Sequence, residues 1–340
     1  MKKHIPCAVL LLTFSLEPLA LLAQGSLTPP GPPGPTMKSL DQIEPRTPVS
    51  SAPFIISVPG SYYLTTNLAV STGNAIDILT NGVTLDLNGF TISSTAPSAI
   101  GSAILLGAPG GNLNITIRNG FIQSGVTNNG SGTYTGSGFA YGIASSSPPS
   151  NVRVKDISIS GCADSGIYLN MRNSTVVESC VVQTAGGYGI YASQVIRSVV
   201  RDCGAVAILG DNVSDCQAQN TSSVYGIEAD TVQNCTAFSS SGYAIIANSA
   251  INCYASCTSG TGLNSTVAQN CYGYSGGAGT GILDTLSQNC YGSSNTGFGV
   301  DAANALNCYG HSTSGTGLYA SQANSCYGNT ESITYKYNMP

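Results

Sequence analysis

The sequence predicts an all-β fold: a single-stranded, right-handed parallel β-helix, or β-solenoid, of about 12–13 coils of 18–24 residues. Three observations carry that expectation. One phrase recurs as Asn252-Cys253-Tyr254-Ala255, Asn270-Cys271-Tyr272-Gly273, Asn289-Cys290-Tyr291-Gly292, Asn307-Cys308-Tyr309-Gly310 and Ser325-Cys326-Tyr327-Gly328, with cysteines 18, 19, 18 and 18 residues apart. A second phrase, Gly262-Leu263, Gly281-Ile282, Gly299-Val300 and Gly317-Leu318, lies between them at matching intervals. Each period holds two short β-type pieces punctuated by Gly, Ser, Thr and Asn, and no stretch has helical periodicity long enough to compete. One such unit cannot bury its apolar side alone, so units stack as parallel strands about 4.8 Å apart. A left-handed helix of hexapeptides needs an aliphatic residue every sixth position. Stepping from Ile282 gives Gln288, Ser294 and Val300, and the pattern fails.

Residues 1–23 have Lys2 and Lys3, an apolar run from Ile5 to Phe14, and small residues at Ala20 and Ala23. This is the layout of a signal peptide cleaved near Ala23, so the expected product is exported, to the outside, the cell surface or a periplasm. Glu17 and Pro18 break the run short of the ~20 apolar residues a membrane span needs, and no later segment predicts a span in the mature chain. Residues 24–51, with Pro29-Pro30-Gly31-Pro32-Pro33-Gly34-Pro35, read as an extended proline-rich linker. The solenoid is expected from 52 to 340. Its register is read through Ile76, Ile104, Ile143, Ile167, Ile190, Ile208, Ile227, Ile245, Leu263, Ile282, Val300, Leu318 and Ile333. The early intervals of 28, 39, 24 and 23 residues require loops, notably between Gly120 and Tyr141, where Asn128-Asn129-Gly130-Ser131-Gly132 reads as too polar to pack.

The segments "PGSYYLTTNL", "NGVTLDLNGFTI" and "NITIRNGFI", starting at Pro59, Asn81 and Asn114, are strands broken at Asn-Gly or Pro-Gly corners. Their pattern resembles the opening coils of the right-handed parallel β-helix superfamily. That broad, pectin-lyase-like group includes pectate lyases, polygalacturonases and bacterial copper-processing proteins. The resemblance runs from about Pro53 to the C-terminus and implies the fold, with no single activity attached.

Composition narrows the function. Charged residues make up 8% of the chain, the net charge is −5, and no basic stripe exists, which argues against a nucleic-acid partner. Trp is absent and Tyr numbers 18, so an aromatic platform has to be built from tyrosine. Of 12 cysteines, removal of Cys7 leaves eleven. Ten of these, Cys162, Cys180, Cys203, Cys216, Cys235, Cys253, Cys271, Cys290, Cys308 and Cys326, read as one column of successive coils. Parallel Cβ vectors about 4.8 Å apart exceed the ~3.5–4.5 Å a disulfide prefers, so the column reads as buried thiols. Zinc needs four converging ligands, and a line of sulfurs does not supply them, so no metal site is expected. Cys257 lies outside the column, at a place where other coils carry Ser.

The asparagine before each later column cysteine is expected at a corner in the left-handed backbone region. Alternation then turns Tyr254, Tyr272, Tyr291, Tyr309 and Tyr327 outward as a stripe. The stripe has two readings, a stacking platform for sugar rings or simple self-stacking between coils. Catalytic signals are sparse. His311 is the one histidine after the leader, and the Asn-Thr-Asp, Asp-Asp, Gly-His-Gly and Arg-Ile-Lys elements that polygalacturonases imply are not found. The nearest charge cluster holds Arg201, Asp202, Asp211 and Asp215. Asp202 and Asp215 in one column would be roughly 5 Å apart, the spacing of retaining glycosidases, and with Asp211 they would offer oxygen ligands to calcium. The expected function is therefore an exported, non-catalytic rod, structural or adhesin-like, binding a polysaccharide or cell-surface component without a cofactor. The alternative is a polysaccharide lyase or glycoside hydrolase acting through Asp202 and Asp215.

Overall fold

The computed structural model describes residues 45–220 and 225–339. The expected signal peptide and most of the linker lie outside the described residues. From Arg46 onward the chain is a parallel β-solenoid of about 15 coils, two or three more than the repeats predict. The solenoid begins earlier than residue 52, because Thr47–Val49 already pairs in parallel with Tyr62–Leu64.

A regular coil has three faces. Thr261–Gln269 forms the first and second with a bend between them, a two-residue corner at Asn270-Cys271 follows, and Tyr272–Ser275 forms the third. A Gly- and Ser-rich turn then returns the chain to the first face of the next coil. Along the regular coils each strand pairs in parallel with the equivalent strand one coil before and one coil after, which is where the backbone groups of a face find their partners. The twelve apolar anchors from Ile76 to Leu318 pair one with the next without a slip. The thirteenth does not. Glu331 stands opposite Leu318, and Ile333 stands opposite Ala320, because the last coil spans 13 residues, five fewer than the one before it and two fewer than the interval to Ile333.

The second corner is the tightest point. Asp156, Ser179, Arg197, Asp215, Asn234, Asn252, Asn270, Asn289, Asn307 and Ser325 occupy it in turn, all with φ between +48° and +55°. Asn and Asp accept this left-handed conformation more readily than other non-glycine residues. The recurrent glycine of the repeated phrase has a different cause. A Cβ at Gly273, Gly292 or Gly310 would collide with the carbonyl of Gly281, Gly299 or Gly317, so in these coils, unlike the earlier ones with Ala237 and Ala255 at this position, the third face closes on the first with no side chain between them.

The cysteines divide differently from the sequence reading. Eight form the corner column, namely Cys180, Cys216, Cys235, Cys253, Cys271, Cys290, Cys308 and Cys326, with Ser198 standing between the first two. Cys162 and Cys203 lie at the end of the third face, in a second column separated by Ala185. All eleven described cysteines are buried, and none is joined in a disulfide. They do more than fill space. Each corner thiol donates to the carbonyl two residues back, as in Cys253 to Ile251 at 3.2 Å and Cys271 to Gln269 at 3.1 Å. The sulfur also accepts from the backbone of the preceding coil, as Cys235 does from Cys216 N–H at 3.4 Å. Cys257 replaces the Ser of its column in function as well as place: it accepts from Gly260 N–H at 3.1 Å, as Ser294 does from Gly297 and Ser312 from Gly315.

An acidic residue interrupts one of the inward alanine columns. Asp284 occupies the inward position that Ala302 and Ala320 fill in the next two coils. One carboxylate oxygen accepts from Ser287 at 2.7 Å, while the other is buried with no partner. Burial pushes its pKa up to about 7 against the weaker opposing pull of Ser287. The folded state therefore holds a proton that the unfolded chain, titrating near 3.9, has already lost. Stability is full below about pH 4, falls as the pH rises toward 7, and stays reduced above it. Replacing Asp284 with Ala continues the column and removes the penalty. Because each tenfold difference in proton affinity between the two states is worth ~1.4 kcal/mol, the variant should exceed the parent by a few kcal/mol at pH 8 and by little at pH 4. Thermal unfolding at the two pH values checks this, and equal melting at pH 8 would refute it.

Candidate functional site

The corner column and the start of the third face together form a groove along the solenoid. It has a volume of about 850 Å³ and runs from Asn234 to Asn338, with the asparagines on one side, the tyrosines on the other and the thiols at its floor. The asparagines form a ladder. Asn252 donates to Asn234 at 3.1 Å, Asn270 to Asn252 at 3.1 Å, Asn289 to Asn270 at 3.2 Å and Asn307 to Asn289 at 3.3 Å. A side-chain amide offers two N–H donors and two acceptor lone pairs. The ladder uses one of each, so every interior rung presents a spare donor and a spare acceptor to solvent.

The tyrosines pair rung for rung. Ring centroids from Tyr254 through Tyr272, Tyr291, Tyr309 and Tyr327 are 4.8, 5.1, 5.0 and 5.3 Å apart, with planes inclined by 1°, 4°, 13° and 22°. Of the two readings of the stripe, the geometry realises self-stacking. Each ring face is covered by the next tyrosine, and what meets solvent is a row of ring edges. A sugar ring has no aromatic face to lie on except at the end of the row.

The acidic cluster does not assemble. Asp215 sits at the corner, where its neighbour one coil earlier is Arg197 and its carboxylate accepts from Asn234 at 3.0 Å. Asp202 lies at the far end of the third face, so the two carboxylates do not share a column. Asp202 serves instead as an anchor. It accepts from Asn128 at 2.6 Å, Tyr134 at 2.9 Å and Thr184 at 3.0 Å. These bonds hold a small antiparallel hairpin, Thr127–Asn128 with Tyr134–Thr135, against the coil, so the segment expected to remain unpacked is in fact latched. Asp211 accepts from the Arg172 backbone at 2.7 Å, and Arg201 is exposed beside Gln217. The calcium reading loses its ligand set with the column, and no cluster suited to a metal ion occurs among the described residues. Burial pushes the Cys162 and Cys180 thiols up to about 12, which keeps them protonated and unsuited to act as thiolate ligands or nucleophiles at neutral pH. His311 pairs with Ser293 of the preceding coil, at an outward position of the third face.

A second grouping was not anticipated from the sequence. On the outer surface of the first face, Tyr168 stands 5.0 Å from Tyr191, 6.1 Å from Tyr141 and 6.3 Å from Tyr188, with rings inclined by 68°, 64° and 43°. Tyr141 donates to Asp164 at 2.8 Å. Burial, then the neighbouring Asp164, pushes the Tyr141 pKa up to about 12, so its hydroxyl stays protonated. The available signal was the equal spacing of 23 residues between Ile167 and Ile190 and between Tyr168 and Tyr191.

These features define a parallel β-solenoid with a polar ladder groove and a separate aromatic cluster. No family model and no curated protein matches the chain. Among solved structures, the A-module of the mannuronan C-5 epimerase AlgE4 of Azotobacter vinelandii is similar over 83% of this chain and 89% of its own length, with a TM-score of 0.42 and 10% identity. No helix among the described residues is long and apolar enough to cross a membrane.

Two outcomes test this geometry. At Asn270, Ala should destabilise the protein by about 1–2 kcal/mol through the left-handed corner alone, and Gly by less, because Gly keeps the conformation and loses only the exposed ladder bonds. Chemical denaturation gives the order; Ala milder than Gly contradicts it. Replacing Asp202 with Ala should release the hairpin at 127–135, seen as faster proteolytic nicking there while the coils remain protected.

Proposed function

We propose that this protein is an exported, non-catalytic rod that holds an extended polysaccharide along the groove from Asn234 to Asn338. The observation that carries the reading is the row of unused amide donors and acceptors facing the tyrosine edges, repeated once per coil. A polyhydroxylated chain offers the matching alternation of hydroxyl donors and acceptors, and a long ligand gains many weak contacts on a surface of this kind. The shallow, open form suits binding along a polymer rather than enclosure of a small molecule. The separation of Asp202 from Asp215 supports the non-catalytic part of the reading, and the leader-like N-terminus supports export.

The groove can be tested without disturbing its stacking. Changing Tyr254, Tyr272, Tyr291, Tyr309 and Tyr327 to Phe keeps the rings in register and deletes the hydroxyl row. Affinity electrophoresis through gels containing neutral or uronate polysaccharides should show retention of the parent, reduced tenfold or more in the Phe variant. Retention unchanged by the five substitutions would remove the groove as the binding surface.

A further inference from the structure

The aromatic cluster on the first face has the features that the ladder lacks. In the ladder each ring lies flat on the next, whereas Tyr141, Tyr168, Tyr188 and Tyr191 meet at 33° to 68°, so they form a tilted cluster and not a closed parallel stack. All four are half-buried. A carboxylate is fixed beside them. Asp164 accepts from Tyr141 at 2.8 Å and from Ser165 at 2.8 Å, and Ser165 in turn accepts from the Tyr188 backbone at 3.1 Å. The chain of bonds runs from one aromatic residue through Asp164 and Ser165 to another, so the polar group and the rings are positioned as a unit. The hairpin latched by Asp202 rests over Gly186, two residues before Tyr188, and walls that side.

We propose that Tyr141, Tyr168, Tyr188, Tyr191 and Asp164 form a second saccharide site, one that takes a single neutral pyranose unit of a glycan. The apolar C–H face of a sugar ring lies on an aromatic face, while a fixed carboxylate accepts from its hydroxyls. Asp164 lies beside the rings, and Glu228 continues the outer column that runs through Tyr168, Tyr191 and Leu209. These carboxylates repel an acidic sugar, which sets the selectivity toward neutral rings. The inference rests on the polysaccharide reading above but places ring stacking on a different face, with residues the groove does not share.

The chain has no Trp, so tyrosine emission reports directly on ring contacts. The full-length protein is titrated with short gluco-, manno- and galacto-oligosaccharides and with an oligogalacturonate of equal length. At least one neutral oligosaccharide should change the emission saturably, and the oligogalacturonate should bind at least tenfold more weakly. The double variant Tyr168→Ala with Tyr191→Ala should weaken binding of the neutral sugar tenfold or more, and Tyr168→Phe with Tyr191→Phe should restore it. Absence of binding by every neutral oligosaccharide overturns the proposal, as does undiminished binding by the Ala variant. The five-Phe groove variant separates the two readings: short-sugar binding that survives while polymer retention is unaffected by the groove leaves this site standing and the groove reading fallen. Polymer retention lost in the groove variant, with no short-sugar binding in the parent, does the reverse.

Discussion

Everything in this molecule depends on each coil hydrogen-bonding in register with the one before it. A single coil is a loop of short strands with no interior of its own, and its backbone groups and apolar side chains are satisfied only by the neighbouring coil. Register then fixes chemistry, because whatever residue occupies a position is repeated directly above itself. Aliphatic residues become a core, asparagines a ladder of shared amide bonds, tyrosines a stack, and thiols a file of sulfur atoms closing the corner.

The corner is where this constraint is sharpest. A chain turning between two faces in two residues needs one of them in the left-handed region, and the asparagine at that point also supplies the side chain that ties it to the next coil. Cysteine follows because a small group that donates to the carbonyl two residues back, and whose sulfur accepts from the coil below, satisfies the bend from inside. Stacking aligns the tyrosines in the regular coils, and only where the coils are irregular do the rings of Tyr141, Tyr168, Tyr188 and Tyr191 fail to align.

The later coils were legible because their length is constant. From Ile190 to Leu318, spacing alone gives the register of the apolar anchors, the outward tyrosines and the left-handed asparagines. Irregular coils hid the rest. Cys162 and Cys180 are separated by 18 residues, the regular period, yet belong to different columns. The interval of 13 from Cys203 to Cys216 was the warning, being five short of the regular period, and Ser198 filled the place the pattern assigned to Cys203. Asp202 and Asp215 were drawn together by the same misassignment. The hairpin at 127–135 has a local sequence that favours exposure, and only its bonds to Asp202, far along the chain, hold it down. The cluster around Tyr168 joins coils of three different lengths, so the only periodic trace it left was the pair Tyr168 and Tyr191, spaced like Ile167 and Ile190.

The most direct measurement is the arrangement of sulfur atoms, located by anomalous scattering from crystals of the protein. In-register stacking predicts eight sulfurs in one line about 4.8 Å apart, with a single empty place where Ser198 stands, and Cys162 and Cys203 in a second line two coil spacings apart. Sulfurs scattered through the molecule, or Cys162 and Cys203 falling within the first line, would contradict the account.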